Sequence, residues 1–177
     1  MKKVAVFGNA GGGKSTLSKR LSQITGLPLH VLDKIQYQSG GKSLPHEEYK
    51  QVHQEILATE QWIIDGFGCM ETVWLRLDEA DSLVFVDLPL YVHFLWVTKR
   101  LITGFFSPPE GWPQNSPILR SSLTSYRVLW LCHKYLTPKY REYIEQSRSL
   151  KSVYHIRSTQ QIEQFFELID AQVADTA

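Results

Sequence analysis

Cysteine is scarce. The 177-residue chain has two, Cys69 and Cys132, far apart and outside any metal-ligand spacing, which excludes a disulfide framework and suits a reducing compartment. Net charge is nearly absent as well: 19 Lys and Arg against 18 Asp and Glu leave +1, so bulk electrostatics gives no drive toward nucleic acid or membrane. No long apolar run exists either. The most apolar stretch, Leu83 to Val97, is interrupted by Asp87, Pro89 and His93, short of the ~20 clean residues of a bilayer span. At the start, Met1-Lys2-Lys3 leads into only four apolar residues before Gly8, too few for a signal-peptide core. These absences lead us to expect a soluble, cytoplasmic protein with no membrane partner. No internal repeat or low-complexity tract is visible. What is there is a globular balance, 43% apolar and 21% charged, in a length that suits one domain over 1–177.

Short apolar segments alternate with helical patterns. Val4 to Phe7 reads as a buried strand, and Leu17, Leu21 and Ile24 mark a helix stopped at Gly26. Pro28 to Leu32 is a second strand ending at Asp33, and Pro45 opens a helix carrying Tyr49, Val52 and Ile56 after a Ser39-Gly40-Gly41 loop. Trp62 to Ile64 and Leu83 to Val86 are the third and fourth strands. A helix is expected from Pro89 to about Thr103, before Gly104, then a turn-rich excursion at Ser107 to Pro113 and two helical segments split near Pro138. Val153 to Ile156 is the fifth strand. Ser158 with Gln161 has the form of a capping box for a last helix bearing Ile162, Phe165, Phe166 and Ile169. Such alternation builds an α/β fold with a parallel sheet covered on both faces, whose ligands sit beyond the carboxyl ends of the strands. The residues there are Gly8 to Thr16, Asp33, Asp65, Asp87 and Arg157.

Gly8-Asn9-Ala10-Gly11-Gly12-Gly13-Lys14-Ser15-Thr16 fits G-x-x-x-x-G-K-[ST] in full, between an expected strand and an expected helix. Glycines let the backbone turn tightly, so that successive N–H groups converge on an anion, and the helix from Lys14 adds its positive end. The pattern assigns Gly8 to Thr16 to ATP. Lys14 reaches the β- and γ-phosphates, Ser15 is a Mg²⁺ ligand, and Thr16 neighbours the α-phosphate. The fold expected is therefore a three-layer P-loop NTPase with a five-stranded parallel sheet and helices on both faces.

Trp62-Ile63-Ile64-Asp65-Gly66-Phe67 resembles the apolar strand followed by Asp-Gly-Phe of adenylate-kinase-like nucleoside and small-molecule kinases. That resemblance implies that Asp65 helps to position Mg²⁺, partly through water. Relatives often continue Pro-Arg, where this chain has Gly68-Cys69. The arginine expected on a substrate phosphate is missing there, and Arg76 is the substitute at hand. More narrowly, the chain resembles the bacterial P-loop proteins called DNA topology modulation proteins, an adenylate-kinase-like branch. The resemblance rests on the P-loop, Leu29 to Asp33, Trp62 to Gly66, Leu75-Arg76-Leu77 with Ala80-Asp81, Val84 to Pro89, and Arg157-Ser158. It departs at Ile35 to Gly41, where relatives have a Trp-rich, Pro-Gly segment.

The kinase resemblance implies further roles. Asp33, on the strand end beside the P-loop, takes the place where such kinases hold or deprotonate an acceptor hydroxyl. A lid over about 99–149, inserted in a core of about 1–98 and 150–173, brings arginines over the phosphates, with Arg120 and Arg127 the candidates. Arg157 takes a base-edge position. Charge agrees with a basic lid: residues 98–157 carry ten basic and three acidic side chains. Aromatics interleave there too, but the helical spacing of Leu123, Tyr126, Trp130 and Leu131 favours core packing over a nucleic-acid groove. His30 reads as a packed residue, and the histidines have no metal spacing. The expected activity is ATP- and Mg²⁺-dependent transfer of the γ-phosphate to a nucleotide or a small-molecule acceptor. A regulatory ATPase or nucleotide switch that binds DNA or a protein partner is the alternative.

Overall fold

The computed structural model describes residues 1–36, 43–106 and 126–175. In chain order the elements are β1 (Lys3–Gly8), α1 (Lys14–Thr25), β2 (Leu29–Val31), α2 (Leu32–Gln36), α3 (His46–Leu57), β3 (Trp62–Asp65), α4 (Met70–Glu79), β4 (Ser82–Val86) and α5 (Leu90–Phe106). Helical residues 126–131 follow, running into a wider π-helical turn (Cys132–Leu136), α6 (Thr137–Ser147), β5 (Ser152–Ile156) and α7 (Thr159–Ala174).

All five strands are parallel, in the order β2-β3-β1-β4-β5. Alternation along β1 divides the core into two layers. Ala5 and Phe7 point to one face with Trp62, Ile64, Leu83 and Phe85, under Tyr49 and Ile56 of α3, Val73 and Leu77 of α4, and Tyr140 and Ile144 of α6. Val4 and Val6 point to the other with Ile63, Val84 and Val86, under Leu17 and Leu21 of α1 and Phe165, Phe166 and Ile169 of α7. Each large apolar side chain so buried contributes about 1.5–3 kcal/mol. β1, flanked by β3 and β4, brings its carboxyl end between theirs, with Val6 opposite Asp65 and Gly8 opposite Val86. That central crevice is where the site lies.

The strands and the first helix match the expected pattern, Gly26 ending α1 in a left-handed conformation. Three boundaries differ. β2 is shorter, so Asp33 stands in the first turn of α2 rather than at a strand end. Pro45 is the cap before α3, not its first residue. Gly104 does not stop α5, which continues to Phe106. The helical segments part near Pro138 as expected, but through a π-helical turn that keeps the run continuous: Pro138 stands in the first turn of α6, directly after that turn. The glycine loop at 39–41, the excursion at 107–113 and Arg120 lie outside the described residues.

Candidate active site

The phosphate-loop motif fills the turn between β1 and α1, and three of its glycines, Gly8, Gly11 and Gly13, have positive φ. Gly8 has φ +139°, and a Cβ there would meet the Val86 carbonyl oxygen at 2.1 Å. Gly13, in the left-handed region at φ +72°, is the cap residue of α1. That helix starts with no side-chain cap and no acidic residue in its first turn, so its positive end is left to a ligand.

Gly11, Gly12 and Gly13 are explained by a neighbour the motif does not mention. A Cβ at Gly11 would lie 2.5 Å from Val97 Cγ2, one at Gly12 2.8 Å from His93 Cε1, and one at Gly13 2.7 Å from Trp96 Cζ3. One face of α5 therefore presses against the loop. His93 is buried, and its Nδ1 lies 2.8 Å from the Ala10 carbonyl oxygen. A carbonyl only accepts, so Nδ1 donates; burial lowers the His93 pKa against the pull of that bond and of the Leu88 carbonyl. Asn9 ties the other side: its side-chain oxygen accepts from the Ala10 amide at 2.8 Å, and its Nδ2 donates to the Leu129 carbonyl at 3.0 Å. Sequence reasoning missed His93, Trp96 and Val97. The signal was present, since the motif requires glycine at 8 and 13 but not at 11 and 12.

A cavity of about 510 Å³ opens beyond the strand ends, bordered by Gly8, Ala10 to Thr16, Asp33, Asp65 and Gly66. Phe67, Trp96, Val97, Val128, Cys132 and Leu136 supply its apolar walls. Within it, the Lys14 ammonium donates to the Asn9 carbonyl at 2.7 Å. Burial lowers the Lys14 pKa, while Asp65 and Asp33 pull it back up. Asp65 is buried at the end of β3, and burial raises its pKa against the pull of Lys14. Both its carboxylate oxygens have no hydrogen-bond partner among the described residues. The Ser15 hydroxyl and the Gly66 amide are close enough to temper that carboxyl without completing bonds of ordinary geometry. A buried carboxylate and a hydroxyl near it are oxygen donors that suit Mg²⁺ held together with phosphate oxygens, and the Lys14 ammonium borders the same cavity. No group of three His, Cys, Asp or Glu side chains able to hold an ion by protein ligands alone occurs among the described residues.

Asp33 borders the same cavity from α2, its Oδ1 3.2 Å from where a Cβ on Gly66 would be. The structure thus brings Gly8, Ala10 to Thr16, Asp33 and Asp65 to one cavity and leaves Arg127 and Arg157 out of it. Arg127 is exposed and does not border the cavity. Arg157 is exposed, with its guanidinium 3.2 Å from His155 Nδ1. Arg76 is fully buried, donating to the Gly66 carbonyl at 2.6 Å and the Phe67 carbonyl at 3.0 Å. It braces the main chain after β3 and corrects the reading of Arg76 as a substrate-gripping residue.

The Gly68-Cys69 departure also has a physical cause. Gly68 has φ +65°, and a Cβ there would fall 2.0 Å from the Tyr49 hydroxyl. Proline, held near φ −65°, is excluded from that conformation. Cys69 is the cap of α4, where the Thr72 hydroxyl accepts from its amide. In the helical run after 125, Leu129 is the buried residue, while Trp130 and Leu131 are half exposed. Tyr126 stacks on Phe94 with centroids 5.7 Å apart, and its hydroxyl lies 2.6 Å from the Thr98 hydroxyl. Packing there runs through Tyr126 and Leu129 rather than Trp130 and Leu131, and Leu123 is outside the described residues.

Neither a protein-family model nor a curated protein matches the sequence. Solved structures do. Shikimate kinase from Acinetobacter baumannii, solved with shikimate, is 13% identical with a TM-score of 0.62, over 99% of this chain and 94% of that one. Shikimate kinase from Bacteroides thetaiotaomicron is 14% identical with a TM-score of 0.51, over 97% of both chains. A sugar kinase from a Janibacter strain, unliganded, is 18% identical with a TM-score of 0.51, over 98% of this chain and 97% of that one. The chain has the P-loop kinase-like α/β fold. These likenesses do not bear on the narrower resemblance to DNA topology modulation proteins.

Proposed function

We propose that the chain is an ATP- and Mg²⁺-dependent phosphotransferase that moves the γ-phosphoryl group to a small-molecule acceptor. The observation that carries this reading is the shared cavity: the uncapped N-terminus of α1, Lys14, Asp65 and Asp33 all border it. Gly8 to Thr16 hold the triphosphate through main-chain amides, and Lys14 supplies a fixed positive charge where negative charge spreads in the transition state. Ser15 and Asp65 would hold Mg²⁺, which would supply positive charge against the phosphates. Asp33 orients the attacking hydroxyl and receives its proton. The expected lid of 99–149 is too long, because Tyr140 and Ile144 of α6 pack in the core beneath the sheet; we place the lid before α6 and keep Arg120 as its candidate for the phosphates. Excluding water and holding the reactants in line make up most of the catalysis, since the protein forms no covalent bond of its own.

Two substitutions test the reading. Lys14→Ala should reduce transfer by roughly 100-fold or more and weaken Mg–ATP binding in calorimetry, with an unchanged circular dichroism spectrum. Wild-type affinity in that variant removes the P-loop assignment. Asp33→Asn should leave Mg–ATP binding intact while transfer falls by about 100-fold. Should ATP loss proceed at the same rate whatever acceptor is added, the chain is a nucleotide switch rather than a kinase.

A further inference from the structure

We propose that the acceptor is an uncharged alcohol with an apolar body, and that phosphate- and carboxylate-bearing acceptors are excluded; the inference rests on the phosphotransferase reading above. Lys14 is the one cation that borders the cavity among the described residues, and it lies on the phosphate-loop side. Beyond the phosphate loop the lining holds two carboxylates, Asp33 and Asp65, set in apolar surface that includes Phe67, Val128, Cys132 and Leu136. Phe67 and Val128 keep 39% and 43% of their surface exposed instead of joining the core, which presents a contact face to a ligand.

Five arginines among the described residues are engaged elsewhere. Arg76 is spent on the Gly66 and Phe67 carbonyls. Arg141 holds Asp87 through Nε and Nη2 at 2.8 and 3.0 Å. Arg148 pairs with Glu145, Arg20 with Glu163, and Arg157 lies on His155. An anion placed beside these residues would face Asp33 and Asp65 with no cation but Lys14 among the described lining residues to replace its lost hydration. A neutral hydroxyl meets the opposite situation, because Asp33 accepts its hydrogen bond and Phe67 and Leu136 cover its carbon frame. In the transfer, the alcohol oxygen bonds to the γ-phosphorus as the bond to the β–γ bridging oxygen breaks, its electron pair staying on ADP. The hydroxyl proton passes to an Asp33 carboxylate oxygen and then to solvent, giving ADP, a phosphate monoester and a proton.

Three ring-matched probes test this on the full chain with Mg²⁺ and a non-hydrolysable ATP analogue: benzyl alcohol, benzoate and phenyl phosphate. Saturation-transfer NMR and the resonances of labelled Phe67 and Leu136 read their binding. Benzyl alcohol should bind and shift both residues, with the two anions at least tenfold weaker. In Phe67→Ala, benzyl alcohol binding should weaken by about fivefold. Anion binding as tight as the alcohol, no binding by any probe, or alcohol binding indifferent to Phe67→Ala overturns the assignment. Analogue binding is measured in the same samples. Its loss removes the phosphotransferase reading and the acceptor class with it, whereas its presence beside bound anions removes the acceptor class alone.

Discussion

His53 shows how a single side chain links the core to solution conditions. It is buried in α3 beside Tyr49, and neither ring nitrogen has a hydrogen-bond partner among the described residues. Burial, reinforced by the nearby Arg76 charge, lowers its pKa to about 4. The unfolded chain binds a proton near pH 6.5, so between those values it holds more protons than the native state. His53 therefore contributes stability that is complete above pH 6.5 and lost as pH falls toward 4, by about 1–3 kcal/mol. Urea midpoints from pH 7.5 to 4.5 should fall more steeply in the wild type than in His53→Phe; parallel slopes would mean that His53 is not the titrating group. Legibility also differs residue by residue. Asp65 follows an apolar strand and precedes glycine, which marks it in the sequence. Arg76 could not be placed that way, because its partners are two carbonyls whose direction depends on how the chain turns at Gly66 and Gly68.

At the scale of elements, the strand–loop–helix unit at the N-terminus was readable because its constraints are local: an apolar run, glycines, then Lys-Ser-Thr. Boundaries set by tertiary contact were not. Gly104 is tolerated inside α5, where a glycine costs about 1 kcal/mol, and a helix packed on the phosphate loop absorbs that cost. Two left-handed glycines of similar φ separate backbone strain from packing. Gly26, with open space around its Cα, ends α1, and Gly13, under Trp96, begins it. Gly26→Ala should cost about 1 kcal/mol of stability in urea titrations and leave Mg–ATP affinity unchanged. Gly13→Ala adds the collision with Trp96, and calorimetry should show affinity reduced by more than about tenfold. Equal affinity losses in the two variants would mean that α5 does not shape the loop.

For the whole molecule, the alternation of strands and helices foretold a parallel sheet. The order β2-β3-β1-β4-β5 is a matter of non-local pairing that no local pattern encodes. One tie reaches across that order. Arg141 of α6 forms a double hydrogen bond to Asp87 after β4, and His155 of β5 meets the same carboxylate at 2.8 Å. Burial raises the Asp87 pKa, but these partners outweigh it and hold it below the ordinary carboxylate value. Its stabilisation is therefore present above about pH 4 and lost as pH falls below it. Arg141→Gln should lower stability by about 1–2 kcal/mol, the half-exposed guanidinium limiting the effect, and a melting temperature measured at pH 7 checks it. An unchanged melting temperature would mean that His155 alone suffices for Asp87.

The contact between α5 and the phosphate loop constrains how this chain can vary. Each residue at 11, 12 and 13 has a counterpart at 97, 93 and 96 that occupies the volume its side chain would need. The two segments are therefore heritable only as a matched set. A motif transplanted from another kinase, with bulk at the positions flanking the invariant glycines, would be rejected until the helix behind it was trimmed to fit.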